Sequence, residues 1–170
     1  QFNRLLISTL SPRVIVDLRT PALYRALESW IDEDLGRGDL TRFALNDLDG
    51  AAYWISKEPG LFCGGEVAKL IFQRLDPDVQ INLLINDGER FQANQTLLKL
   101  KGSANALTSG ERTALNICMH LSGITTRTAQ LVSGLKGTGV LLADTRKTTP
   151  GLRLLEKYAF RCGGGINHRL

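Results

Sequence analysis

The sequence has no uninterrupted apolar run of the roughly 18 residues that a membrane-spanning helix needs. Its start, Gln1 to Ile7, also lacks the long apolar stretch and the small-residue cleavage site of a signal peptide. With 43% hydrophobic and 22% charged residues, the 170-residue chain has an ordinary soluble, globular composition, enough for one domain or two small ones. We therefore expect no membrane partner.

Cysteines and aromatic residues are also few. The three cysteines, Cys63, Cys118 and Cys162, are odd in number, far apart and without the spacing of a metal site. We expect them to be reduced, buried thiols of a cytoplasmic protein. Among the cations near the end of the chain, only Tyr158 and Phe160 could stack on bases, which argues against a nucleic-acid partner.

Net positive charge is confined to the end of the chain. The chain has 21 Lys and Arg against 17 Asp and Glu, a net charge of +4. Six of those basic residues but only two of the acidic ones lie from Leu141 onward, so this segment alone supplies the excess. An anion is the natural partner of such a segment.

The chain before this segment alternates helical and extended patterns. Thr20 and Pro21 have the form of a helix start, and Gly36 that of a helix stop. Periodicity predicts helices at Ala22–Leu35 and Glu66–Leu75, and strands at Ala51–Lys57, Val79–Ile85 and Thr96–Lys101. Together these elements predict a small α+β layer over roughly residues 20–104.

Two further helices are predicted before the basic segment. Thr108 to Glu111 has the form of a capping box and predicts a helix start, and a second helix follows at about Thr125–Leu135. Polar residues recur on one face of the first helix, either as a solvated surface or as the wall of a site. These residues are Arg112, Asn116 and His120.

The basic segment has the pattern of one βα repeat. Gly139 to Asp144 predicts a buried strand, Thr149 an N-cap followed by Pro150, and Gly163 to Gly165 a helix end. Loops after parallel strands are where α/β proteins bind ligands. On the helix between them, a basic face is predicted to be solvated; its members are Arg153, Lys157 and Arg161.

Several arginines with one lysine suit a ligand that carries more than one carboxylate or phosphate. Arg146 and Lys147 follow the predicted strand, Arg169 follows the last helix, and Arg112 projects from the helix before them. A planar guanidinium grips a carboxylate through two hydrogen bonds, and Lys supplies a point charge.

At these positions the sequence resembles a known family. The strings are ERTALN at 111–116, LSGITT at 121–126, DTRKTTPGLR at 144–153, KYA at 157–159 and CGGGINHRL at 162–170. Together they resemble the quinolinate phosphoribosyltransferases, the decarboxylating nicotinate-nucleotide pyrophosphorylases of NAD synthesis. The two longest strings are specific, and the resemblance covers nearly all of the chain after about residue 20.

The resemblance implies an α/β architecture in two parts. Residues 1–107 would form an N-terminal α/β sandwich, with 1–19 as a leading segment, and residues 108–170 the start of an open, TIM-like β/α barrel. Too few strands precede residue 170 to close that barrel. The resemblance also implies a homodimer whose active sites take residues from both subunits.

The implied enzyme is a pentosyltransferase. It converts quinolinate and phosphoribosyl pyrophosphate to nicotinate mononucleotide, pyrophosphate and CO2, with Mg²⁺ whose ligands are expected beyond residue 170. The resemblance assigns the quinolinate carboxylates to Arg146, His168 and Arg169. It places Lys147, a tentative catalytic residue, near substrate and diphosphate, Thr145 at a backbone contact, and Arg112 in the neighbouring subunit's pocket.

Two alternatives stay open. One is a phosphoribosyltransferase-like protein of the molybdenum-transport type, against which the intact DTRKT and NHR strings argue. The other is a basic module that binds anions or nucleic acid, with affinity falling steeply as salt rises. Because the family's chains continue for roughly another hundred residues, we expect this chain alone to bind dicarboxylate weakly at most and not to turn over.

Overall fold

The computed structural model describes residues 18–36, 45 and 48–168. Most of the predicted leading segment and the predicted ligand Arg169 therefore lie outside the described residues. Within the described part of the chain, no helix is both long and apolar enough to cross a bilayer.

A three-stranded antiparallel sheet forms one layer of the fold. Its order is β1 (Asp49–Ile55), β5 (Thr96–Ser103), β3 (Gln80–Leu83), with β5 in the centre. The three predicted strands are confirmed. Two shorter strands, β2 (Gly60–Leu61) and β4 (Arg90–Phe91), pair with each other as a second sheet.

The first two predicted helices are confirmed as α1 (Pro21–Leu35) and α2 (Gly65–Leu75). The hydroxyl of Thr20 accepts a hydrogen bond from the Leu23 amide at 3.2 Å and caps α1 as its sequence predicts. In α2, the side chains of Val67, Ile71 and Phe72 are buried against the sheet and the following helix.

The two predicted central helices are one helix, α3 (Ala104–Gly134). The predicted start at Thr108 and the predicted break between the two helices are therefore wrong, whereas the predicted end at about Leu135 is confirmed. Ser103 caps the helix five residues before the predicted N-cap, Thr108, whose hydroxyl instead donates to the Ala104 carbonyl. Mid-helix, the hydroxyls of Ser122 and Thr126 accept the amides of Cys63 and Leu61, because α3 packs against β2 and the loop that follows it.

The helix α4 (Arg153–Cys162) begins later than predicted. The proposed N-cap, Thr149, instead accepts the Leu152 amide at 3.0 Å in a turn. Gly151 has a φ of +83° in that turn, and such a left-handed residue cannot belong to the helix. The predicted end of the helix at Gly163 is confirmed.

The larger of the two hydrophobic clusters among the described residues joins both predicted parts of the chain. Leu155 and Ala159 of α4 are buried in the same cluster as residues of α1, α2, β5 and α3. The proposed domain boundary after residue 107 falls inside α3 and stays a prediction.

The predicted buried strand at Gly139–Asp144 is wrong. This segment makes one parallel bridge, between Ala143 and Ile166, and the side chains of Val140 and Leu141 are 58% and 62% exposed. Apolar residues at strand spacing become a strand only when neighbours pair with both edges and cover them. Among the described residues only the segment around Ile166 pairs with it.

Two glycines of α3 offer a matched test of this packing. A Cβ added at buried Gly110 would lie 2.9 Å from the ring of Phe72, whereas a Cβ at exposed Gly123 would meet nothing within 4 Å. We predict that Gly110→Ala destabilises the fold by about 1–3 kcal/mol through overpacking. Gly123→Ala should stabilise it by about 0.5–1 kcal/mol. Urea unfolding followed by circular dichroism checks both, and equal effects would contradict the assigned packing.

Candidate functional site

The carboxylate of Asp144 lies between the two basic loops and α4. Its Oδ2 accepts the Lys157 ammonium at 2.5 Å and the Asn167 amide at 2.7 Å, and its Oδ1 accepts the backbone N–H of His168 at 2.9 Å. The backbone adds a bond from Asp144 N–H to the Ile166 carbonyl at 3.0 Å. Asp144 therefore holds the end of the Gly139–Asp144 segment beside the loop that carries His168.

The Asp144–Lys157 ion pair is buried. The side chains of Lys157 and Asp144 are 1% and 5% exposed. The prediction that Lys157 belongs to a solvated face is wrong, because its ammonium donates to Asp144 and its carbonyl accepts the Asn167 amide. A buried lysine needs a charged or hydrogen-bonding partner, and Asp144 provides it.

The surroundings of Asp144 also favour its ionised form. Burial raises the pKa of the carboxyl, but the hydrogen bonds from Lys157, His168 and Asn167 outweigh it, so the pKa lies below its ordinary value. A carboxyl with a lowered pKa in the folded state stabilises the fold above its unfolded-state pKa. That contribution is lost as pH falls through the lowered pKa.

The loop Thr145–Lys147 presents two cations to solvent. The side chains of Thr145, Arg146 and Lys147 are exposed. Neither the Arg146 guanidinium nor the Lys147 ammonium has a hydrogen-bond or ion-pair partner among the described residues. The loop is braced from behind, where Arg153 donates to the Arg146 carbonyl at 3.4 Å. Its two charges are thus held in place but free to meet an anion.

Glu156 anchors the other end of this loop. Its two carboxylate oxygens contact His120 Nε2 of α3 at 2.9 Å and the Thr149 amide at 3.2 Å. Burial raises the pKa of Glu156, but these hydrogen bonds lower it further than burial raises it. His120 is one of the three residues of the polar face predicted on α3. Through Glu156 it links α3 to α4 and to the Thr149 end of the basic loop.

Arg112 lies elsewhere. Its guanidinium donates to Asp34 of α1 at 2.7 Å and remains 74% exposed. Arg112 and His120 are eight residues apart on one helix, which separates them by about 12 Å along its axis. The structure brings Thr145, Arg146, Lys147 and the His168 loop together around Asp144, but it does not bring Arg112 to them.

Three residues of this arrangement were missed by sequence reasoning: Asp144, Lys157 and Asn167. All three lie within the motif strings, but spacing assigned Lys157 to the wrong face and gave Asp144 and Asn167 no role. An acidic residue at the end of a predicted strand, followed 13 positions later by a lysine in a helix, is too common a pattern to reveal a buried pair.

The described residues do not fit a resident Mg²⁺. No group of three or more His, Cys, Asp or Glu side chains within residues 18–36 and 48–168 could hold a metal ion. The Asp144 carboxylate already accepts from three donors, and the neighbouring exposed side chains are cationic. No chemical step is therefore assigned to a metal held by these residues.

Comparison with protein families identifies the chain. Residues 39–122 match the model described as "Quinolinate phosphoribosyl transferase, N-terminal domain", and residues 124–170 match that of the C-terminal domain. The chain belongs to the quinolinate phosphoribosyltransferase family. The two matched regions meet inside α3, and the second contains Asp144 and its partners Lys157, Asn167 and His168, which we call the Asp144 cluster.

Known relatives of this quinolinate phosphoribosyltransferase-family chain support the assignment. It is 45% identical over 145 residues to a Synechocystis protein named probable nicotinate-nucleotide pyrophosphorylase (carboxylating). It is 34% identical over 173 residues to the tobacco protein "quinolinate phosphoribosyltransferase (decarboxylating) 2b, mitochondrial". The alignments cover 85% and 96% of this chain but 49% of each relative. The chain thus spans about half the length of the curated relatives it matches.

Solved structures confirm the predicted α/β fold. The nicotinate-nucleotide pyrophosphorylase of Francisella tularensis superimposes with a TM-score of 0.83 at 39% identity. The match covers 87% of this chain and 54% of that structure. The mixed α/β arrangement of this chain is therefore that of the corresponding half of a family member.

We predict that Lys157→Met destabilises the fold by about 3–5 kcal/mol at neutral pH, because the substitution leaves the Asp144 carboxylate buried without its cation. Lys147→Met, at an exposed lysine of the same segment, should change stability by less than about 0.5 kcal/mol. Urea unfolding at pH 7 measures both changes.

Acid provides a control for the same prediction. The deficit of Lys157→Met should shrink as pH falls below about 3.8, the ordinary pKa of Asp. The parent chain loses the ion pair only as pH falls further, through the lowered pKa of Asp144. Equal stability of Lys157→Met and the parent chain at pH 7 would show that the pair contributes nothing to the fold.

Proposed function

We propose that this chain supplies the quinolinate-binding segment of a nicotinate-nucleotide pyrophosphorylase. In that reaction, quinolinate and phosphoribosyl pyrophosphate give nicotinate mononucleotide, pyrophosphate and CO2. The family assignment and the names of the relatives support the reaction. The observation that carries the proposal is the pair of unpartnered, exposed cations, Arg146 and Lys147, on a loop anchored beside His168 by Asp144.

The charge of the ligand fits these side chains. Quinolinate is a dianion, and removing it from water requires fixed positive charge. Arg146 can hold one carboxylate through two hydrogen bonds, while His168, with Arg169 after it, offers further donors. The backbone at Thr145 provides an additional contact. The ligand's ring is thereby oriented as well as bound.

Binding of this kind contributes to catalysis by positioning. When both substrates are bound with the pyridine nitrogen held against the ribose carbon, the attack of one on the other becomes effectively unimolecular. In this proposal Lys147 supplies a point charge that stabilises the departing pyrophosphate. The carboxylate beside the nitrogen can then leave as CO2, because the ring cation accepts its electrons. This scheme requires no general acid or base among the described residues.

The remaining assignments extend the same proposal. We assign Arg112 to the pocket of a second subunit in a homodimer, since it lies on α3 away from the Arg146 loop and its side chain is largely exposed. Mg²⁺ would accompany phosphoribosyl pyrophosphate. A cytoplasmic location rests on the composition and the sparse cysteines, although the tobacco relative is named as mitochondrial.

A nucleic-acid-binding role has little support in the contacts. The Tyr158 hydroxyl donates to Asp87 at 2.8 Å, and the Phe160 ring packs on Gly165. Both side chains are partly buried, so neither aromatic ring that sequence reasoning considered is presented for stacking on bases.

The proposal predicts that Arg146→Ala weakens quinolinate binding roughly tenfold or more, because it removes a charge-assisted hydrogen-bonding partner. Arg127→Ala is the matched control, since Arg127 is an exposed arginine of α3 bonded to Gln130. Isothermal titration calorimetry with quinolinate compares the two variants with the parent chain. An Arg146→Ala affinity equal to that of Arg127→Ala would contradict the assignment.

A further inference from the structure

Arg153, the first residue of α4, bonds to the Thr145–Lys147 loop and to the residue that follows it. Its guanidinium donates from Nε to the Thr148 hydroxyl at 3.1 Å and from Nη2 to the Arg146 carbonyl at 3.4 Å. Arg153 is exposed, as predicted for the basic face of this helix. Its guanidinium is nevertheless engaged, because one planar group reaches two acceptors on either side of Lys147.

Side chains of α4 fix the conformation of residues 145–149. None of these residues belongs to a helix or a strand. Within the segment, the Lys147 amide donates to the Thr145 hydroxyl at 3.1 Å. At its end, the Glu156 carboxylate accepts the Thr149 amide at 3.2 Å. The described side-chain contacts that tie the segment to α4 are therefore those of Arg153 and Glu156.

The geometry of Arg153 gives it a different task from that of Arg146. The Nε and Nη2 groups form one edge of a guanidinium, and such an edge can grip a carboxylate through two hydrogen bonds. Arg153 uses this edge for two acceptors of its own chain. The bond to the Arg146 carbonyl fixes the backbone from which the Arg146 side chain projects. Arg153 thus acts on the loop, and Arg146 and Lys147 remain the cations that face a ligand.

We propose that Arg153 is a positioning residue of the quinolinate site, which holds Arg146 and Lys147 in the conformation that the ligand meets. The inference rests on the proposed function, because it names the residue that prepares the loop of that site. A loop ordered before binding loses less conformational entropy when the ligand arrives. Without Arg153, residues 145–149 keep only the Glu156 contact to α4, and the ligand itself has to order both cations.

Two variants separate positioning from charge. Arg153→Lys keeps the positive charge but loses the planar fork that reaches both acceptors. Thr148→Val removes one acceptor and changes no charge. We expect Arg153→Lys to weaken quinolinate binding roughly three- to tenfold, and Thr148→Val to weaken it less. Arg127→Ala, which removes an exposed arginine of α3 bonded to Gln130, is the control and should bind as the parent chain does.

A double variant tests whether the two side chains act together. If Arg153 works through Thr148, the combination of Arg153→Ala with Thr148→Val should bind quinolinate no more weakly than Arg153→Ala alone. The contact between the two side chains is already lost in Arg153→Ala, so their effects are not additive.

Nuclear magnetic resonance of the isotope-labelled 170-residue chain supplies both readouts. Without ligand, the heteronuclear NOE of the Arg146 and Lys147 amides should fall in Arg153→Lys and stay at the parent value in Arg127→Ala. Amide shifts during a quinolinate titration give the dissociation constants. The midpoint of urea unfolding should be the same in Arg153→Lys as in the parent chain, since a role in overall stability would lower it.

Three results would overturn the proposal. The first is an Arg153→Lys chain with the loop NOE of the parent. The second is a loosened loop that binds quinolinate as tightly as the parent chain does. The third is a lowered urea midpoint with an unchanged loop NOE, which would give Arg153 a general structural role. The ligand-free NOE does not depend on quinolinate, so a failure of the positioning role is distinguishable from a failure of the proposed function, which Arg146→Ala tests.

Discussion

The buried ion pair between Asp144 and Lys157 is the constraint on which the rest of this structure depends. One carboxylate receives the lysine of α4, the amide of Asn167 and the backbone of His168, and so joins a helix to two loops. The pair also has an electrostatic consequence. Because Lys157 neutralises Asp144, the neighbouring cations Arg146 and Lys147 are not used up by an internal partner and can serve an anionic ligand.

The cluster around Asp144 is in turn fixed to the body of the fold through α4. The Thr125 hydroxyl of α3 donates to the Ala159 carbonyl at 2.9 Å, and Glu156 contacts His120 of the same helix. Tyr158 reaches Asp87 in the turn between β3 and β4. The helix α4 therefore fixes both basic loops, the Thr145–Lys147 loop and the His168 loop, relative to the hydrophobic core. Placing binding residues on loops that a packed helix holds is a general way to keep a site pre-organised.

Sequence reasoning succeeded where local signals and tertiary packing agree. Thr20 and Pro21 start α1 as their types predict, and the central strands follow their apolar spacing. It failed where distant contacts decide. The helix α3 continues through Gly123 because Thr126 bonds to β2 and Ser122 bonds to the loop after it. Lys157 is buried because a segment 13 residues earlier folds over it, and no periodicity within α4 reveals that cover. The motif strings led to the cationic residues Arg146 and Lys147, but they did not reveal the contacts among Asp144, Lys157 and Asn167 that hold the loop.

Amide hydrogen exchange at His168 is the most direct measurement of the central claim. In the parent chain the His168 N–H donates to Asp144, and the Ile166 N–H donates to the Leu142 carbonyl, so both should be protected. In Lys157→Met, both amides should exchange markedly faster while those of β5 keep their protection. Unchanged protection of His168 and Ile166 in that variant would contradict the account, because the loops would then be held together without the buried pair.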